Sequence, residues 1–208
     1  MNDLLESIKN LQNSEVKNKV DFKINEFETF KNKSIDEIFK ELCFCIMTAN
    51  CSAEKCIEIH ESINDGFIRF KHEDLTKKFK ELGYRFPNIR SEYIIKARNY
   101  KTDLKNLFES DIEEKKLRDF IVNNIKGLGY KEASHFLRNI GFKNYAIVDF
   151  HIVDLLVKHY LIEKPKSMTK KKYLEIEEIL KTIAKRLKLT LAELDLYLWY
   201  LETGKILK

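Results

Sequence analysis

An all-α protein, of a length that allows one compact domain or two small helical subdomains around a shared cleft, is expected, and three observations make it helical. Gly and Pro are scarce, 6 and 2 among 208 residues, too few for the dense turns of a sandwich or barrel. Apolar residues recur at spacings of three and four along most of the chain instead of alternating. The breaks between these runs carry helix punctuation, with Ser34, Ser52 and Thr190 at starts and Gly83, Gly141 and Gly204 at ends. A hydrophobic fraction of 44 % beside 34 % charged residues belongs to a globular chain, not a disordered one.

Taken in order, Leu4, Leu5, Ile8 and Leu11 have helical spacing, with Asp3 as candidate N-cap, and a second helix is expected over 21–30. Ser34-Ile35-Asp36-Glu37 has the form of a capping box and leads into a buried helix through Leu42, Phe44, Ile46 and Met47, ending near Thr48-Ala49-Asn50. Ser52 opens the next helix, on which Ala53, Cys56, Ile57 and His60 share a face. Gly83 releases the helix before it, and Pro87 restricts Phe86 to an extended backbone before helical spacing resumes over 89–100. Helices are then expected over 113–125 and from 130 or 131 to Ile140, and another starting at Asp149. A long amphipathic helix through Ile176, Leu180, Ile183 and Leu187 precedes a last one opened by the Thr190/Glu193 capping box. The subdomain boundary is expected near residue 105, giving 1–105 and 106–208, with chain ends free to pack across it.

The balance of 38 Lys+Arg against 33 Asp+Glu permits an anionic partner without requiring one. Residues 80–101 hold six basic and two acidic side chains, and 164–188 is lysine-rich; both are candidate rims or simply solvated helix faces. Cys43, Cys45, Cys51 and Cys56 form no paired C-x2-C zinc knuckle and no iron–sulfur spacing, so buried or half-buried free thiols are expected, as in a reducing compartment. The first residues contain Asp3 and Glu6 and no long apolar core, and no stretch is long enough to cross a membrane. A soluble, cytoplasmic protein is expected.

The informative stretch is Lys126-Gly127-Leu128-Gly129-Tyr130-Lys131, a very short turn between two apolar-periodic helices. Gly127 and Gly129 can adopt dihedrals that are costly for other residues and let a ligand approach the backbone, while Leu128 can point inward and tie the helices together. The second helix then offers unsatisfied N–H groups to an anion such as a DNA phosphate. This is the layout of a helix-hairpin-helix, which grips backbone and not base identity; an ordinary packing corner is the bland alternative.

Lys131 stands in the first turn of the second helix, where the positive helix end disfavours an ammonium and favours an uncharged, nucleophilic amine. A phosphate-contacting lysine is the alternative. Eighteen residues on, Asp149 follows an apolar pair and opens a helix. It is an N-cap, and a carboxylate there can also stabilise positive charge developing on a deoxyribose. His151 fits a structural or phosphate-contacting role better than that of a base.

The run Lys126–Ala133 followed by Val148-Asp149-Phe150-His151-Ile152 resembles the helix-hairpin-helix DNA glycosylases. With Phe44–Asn50, Gly83-Tyr84-Arg85-Phe86, Glu193–Tyr200 and Gly204–Lys208, the whole chain is similar to the archaeal-type (type-2) 8-oxoguanine DNA glycosylase/AP lyases. The resemblance implies two helical subdomains flanking a DNA-binding cleft and a bifunctional enzyme acting on double-stranded DNA that carries 8-oxoguanine or abasic sites. It implies Lys131 as nucleophile and Asp149 as catalytic carboxylate. Asn50 would fill the space left by an everted base, and Phe86 and Trp199 would contact that base. The carboxylate of Lys208 would help recognise it. Gly127, Gly129 and His151 would meet the DNA backbone. No metal or organic cofactor is required by such chemistry, although a monovalent cation can bridge the hairpin carbonyls and a phosphate. A monomer associated with the nucleoid is the further expectation. Two alternatives stay open: a related glycosylase for another oxidised base, and a non-catalytic helical protein of the DNA-binding or protein-interaction kind.

Overall fold

The structure is a computed structural model and describes residues 2–49, 51–110 and 112–208. It is all-helical, with no strand among the described residues. The α-helices are α1 (Asn2–Gln12), α2 (Val16–Thr29), α3 (Ile35–Thr48), α4 (Ala53–Ile63), α5 (Gly66–Arg69), α6 (His72–Glu81) and α7 (Pro87–Ala97). They are followed by α8 (Lys101–Phe108), α9 (Glu114–Asn124), α10 (Tyr130–Asn139), α11 (Phe150–Lys158), α12 (Lys170–Leu187) and α13 (Leu191–Thr203). No described helix is long and apolar enough to cross a membrane.

The caps form where the side chains dictate. Ser34, Ser52, Asp149, Thr169 and Thr190 each accept a hydrogen bond from the backbone N–H three residues on, and Thr190 with Glu193 completes a reciprocal box. Local signals were overridden in three places. Asp3 lies inside α1 instead of capping it. Helix α2 starts at Val16, not near residue 21, because Val16, Val20, Ile24 and Phe27 make one continuous buried stripe. Phe86 is not extended: at φ −125° and ψ 53° it is the N-cap of α7, and Pro87 occupies the first helical position, where its missing N–H is harmless.

The chain forms two compact units, 1–31 with 137–208, and 32–136. These bounds differ from the expected boundary near residue 105, which allowed the chain ends to pack across it. Helices α8 and α9 stay with α3–α7, and α1 and α2 join the C-terminal helices, because α1 packs on α12 and α13 and α2 on α13. The boundary falls within α10.

In the 32–136 unit, α3 is the central element. Every residue from Ile38 to Thr48 is buried, and α4, α5, α7 and α8 pack around it. A helix with apolar residues on every side has to be enclosed in this way, and Lys40 and Glu41 are buried with them. Burying a side chain such as Phe39 or Phe44, both fully buried, contributes about 1.5–3 kcal/mol. Lys40 tolerates burial on this helix because its ammonium meets Glu37, Asn64 and Asp65. Burial pulls its pKa down, but the hydrogen bonds and negative charges of Glu37 and Asp65 outweigh the pull and leave it raised.

In the other unit, α13 is the buried partner of α2, α11 and α12. Arg138 and Asp195 form a buried ion pair there, with Asn139 accepting from the same guanidinium and the Phe27 ring 4.8 Å away.

Candidate active site

In the 32–136 unit the hairpin forms as its sequence requires. Leu117, Ile121, Ile125 and Leu128 are all buried, so Leu128 points inward from the turn. Gly127 has φ +89°, and a Cβ there would lie 2.5 Å from Tyr93 and 3.1 Å from Arg90 Nη1. Both conformation and space require glycine. Gly129 differs from expectation, since it is not among the positive-φ residues. Its N–H donates to Glu132 Oε2 at 3.2 Å, so a carboxylate already occupies part of the helix N-terminus.

The start of α10 is clamped by α9. Arg118, 3 % exposed, donates to Ser134 Oγ at 3.1 Å and lies 5.1 Å from the Tyr130 ring centroid, and the Tyr130 hydroxyl donates to Asp119. Lys131 sits between those anchored positions, with 26 % of its side chain exposed and Nζ 3.9 Å from Glu132 Oε1. It is thus a reachable amine on a fixed first turn. Burial and the adjacent Cys51 push the Cys56 thiol well above its ordinary range, against the opposing pull of Lys131 and Arg90. Cys43, Cys45 and Cys56 are buried and Cys51 half-buried, all as free thiols.

Phe86, half-buried at the start of α7, lies 5.0 Å from the Arg85 guanidinium and 5.9 Å from that of Arg90. Several basic side chains of the segment 80–101 are engaged within the unit. Arg98 turns inward onto the carbonyls of Gly66 and Phe67, Lys96 pairs with Glu92, and Lys101 pairs with Asp36. Asn50 lies outside the described residues.

The 1–31/137–208 unit carries Asp149, His151, Trp199 and Lys208. Asp149 Oδ1 accepts the Ile152 N–H at 3.0 Å, and Oδ2 accepts no hydrogen bond among the described residues. One oxygen therefore caps α11 and the other is not engaged in the cap. The segment leading to it is fixed by α12: Glu177 accepts the Ala146 N–H at 3.1 Å. The Tyr173 hydroxyl donates to Ala146 O at 2.7 Å and accepts from Val148 N at 3.2 Å. His151 stands edge-on to Trp199, centroids 5.1 Å apart, and meets the exposed ring of Phe150 at 3.9 Å. Trp199 Nε1 is buried and makes no hydrogen bond among the described residues. Residues 206–208 are half-buried, so the tail lies against the protein.

Arg90, Arg118, Glu132, Tyr173 and Glu177 were not singled out by the sequence. Only α12 held a usable signal, two polar residues at i and i+4 on a face otherwise filled by Ile176, Leu180 and Ile183. Among the described residues no cluster of His, Cys, Asp and Glu could hold a metal ion.

An all-helical chain whose Gly-Leu-Gly turn delivers a partly exposed lysine at a helix start has the architecture of the helix-hairpin-helix DNA glycosylases. Residues 20–189 match the family model described as 8-oxoguanine DNA glycosylase, and the chain belongs to that family. The 8-oxoguanine DNA glycosylase/AP lyase of Methanocaldococcus jannaschii is 53 % identical over 206 residues, 99 % of each chain. That of Korarchaeum cryptofilum is 49 % identical over 209 residues, 100 % of this chain and 99 % of the other. The crystal structure of the Methanocaldococcus jannaschii enzyme in complex with a 15mer DNA containing 8-oxoguanine matches with TM-score 0.95 at 52 % identity, covering 99 % of each chain. The 8-oxoguanine DNA glycosylase of Thermotoga maritima matches with TM-score 0.93 at 40 % identity, covering 100 % of this chain and 99 % of that one.

Proposed function

We propose that this protein excises 8-oxoguanine from double-stranded DNA and then cleaves the strand at the resulting site, with Lys131 as nucleophile and Asp149 as electrostatic partner. The observation that carries the reading is a lysine with a partly exposed side chain in the first turn after the hairpin, in a chain of this family. The hairpin grips phosphates through α10 N–H groups. Everting the nucleotide costs a few kcal/mol, offset by backbone contacts, by Asn50 filling the gap, and by Phe86 and Trp199 against the base. His151 contacts the backbone beside it.

Lys131 Nζ, uncharged, forms a bond to C1′ as the C1′–N9 bond breaks, and the departing base takes up a proton. The Asp149 carboxylate stabilises the positive charge on the sugar. Opening of the ring leaves a protonated imine between Lys131 and C1′. Loss of a C2′ proton and departure of the 3′ phosphate complete β-elimination. The imine is itself the electron sink, so these steps draw on no metal or organic cofactor; a monovalent cation at the Gly127–Gly129 carbonyls would serve DNA binding alone. Discrimination from guanine needs an acceptor for the added N7–H, which is worth about 1–3 kcal/mol, and the Lys208 carboxylate is assigned that role. The protein acts as a monomer inside the cell, on lesions and on abasic sites alike.

Duplexes carrying 8-oxoguanine, an abasic site or plain guanine, incubated with and without borohydride, test this. Cleavage and covalent trapping on the first two, with guanine untouched, are expected. Salt-sensitive binding with no base release and no adduct would identify a scaffold instead. Action on an oxidised pyrimidine but not on 8-oxoguanine would reassign the lesion.

A further inference from the structure

Arg90 joins three segments of the 32–136 unit that are distant in sequence. Its Nη2 donates to the carbonyl of Ala49, the C-cap of α3, at 3.4 Å. Its guanidinium lies 5.9 Å from the Phe86 ring centroid and 5.5 Å from that of Tyr93. Its Nη1 and the Tyr93 ring fill the space that glycine leaves at position 127 of the hairpin. Arg90 is half-buried overall, but its Nε is buried and makes no hydrogen bond among the described residues, so the guanidinium packs against the protein instead of extending freely into solvent. A planar cation suits such a place, since it stacks on rings and donates in its plane at once, which an ammonium cannot do.

We infer that Arg90 is a positioning residue for base recognition, setting the Phe86 ring against the hairpin and the end of α3. The inference rests on the assignment of Phe86 to the base-contacting surface. It places the effect of Arg90 on release of the damaged base, a step that a preformed abasic site no longer requires.

The test compares Arg90→Met and Phe86→Leu with the unaltered protein in single-turnover excision of 8-oxoguanine and in cleavage at a preformed abasic site. Thermal melting and DNA affinity at several salt concentrations are followed alongside. Arg90→Met is expected to slow excision about 100-fold, the loss that roughly 1 Å of misplacement produces, while abasic cleavage stays within about threefold. If that variant does not fold, Tyr93→Leu removes one of the two rings and should give the same split, about tenfold. Equal losses on both substrates, or no loss on either, would overturn the inference. So would a loss confined to affinity with a shallower salt dependence, the mark of a phosphate contact. Excision unharmed in Phe86→Leu would overturn the assignment of Phe86 itself, whereas Phe86→Leu impaired with Arg90→Met intact would overturn the role of Arg90 alone.

Discussion

Asp149 caps α11 with one oxygen, and the proposed mechanism gives its carboxylate charge a second task that can be separated from the first. Its Oδ1 caps α11, a contact worth about 1 kcal/mol that asparagine supplies equally well. The negative charge on the carboxylate is what a cationic sugar needs. Asp149→Asn should therefore melt within about 1 °C of the unaltered protein and bind DNA as well, while base release in a single turnover slows by about 100- to 1000-fold. An unchanged rate would remove Asp149 from the chemistry and leave it a cap. The placement of Asp149 and Lys131 at helix starts was legible in the sequence because it is a local property, whereas their chemical roles came from the family resemblance. Arg90, Arg118, Tyr173 and Glu177 were not legible, because each acts on a partner from another element: Arg118 reaches Ser134, and Tyr173 reaches Ala146. Glu132 is a different case. Its neighbours were visible, yet its return to the Gly129 N–H depends on a rotamer that spacing alone does not specify.

At the scale of the element, the hairpin distinguishes its two glycines. Gly127 has a positive φ and is closed in by Tyr93 and Arg90, whereas the nearest atom to a Cβ at Gly129 is the flexible end of Glu132, 3.3 Å away. Gly127→Ala should destabilise by about 2–4 kcal/mol, adding backbone strain to overpacking, and Gly129→Ala by well under about 1 kcal/mol. Chemical denaturation measures both, and equal effects would show that the turn is softer than its packing indicates. Helix starts were the best-read feature because Ser34, Ser52, Asp149 and Thr190 signal through their own side chains. The early start of α2 and the separate helix α8 were missed. Val16 extends α2 through a tertiary stripe, and Leu104 anchors α8 as its one buried residue, too little to stand out as a periodic pattern.

For the whole molecule, the division into units was the least legible property, since pairing α1 and α2 with α12 and α13 leaves no local mark in either segment. Lys131 belongs to one unit and Asp149 to the other. The proposal depends most on the identity of the amine. Borohydride trapping on an 8-oxoguanine duplex, followed by peptide mapping of the adduct and repeated with Lys131→Gln, measures it directly. The expected result is a sugar remnant on Lys131 in the unaltered protein, and neither adduct nor strand cleavage in the variant. An adduct mapped to a different lysine, or one formed by Lys131→Gln at the unaltered rate, would contradict it.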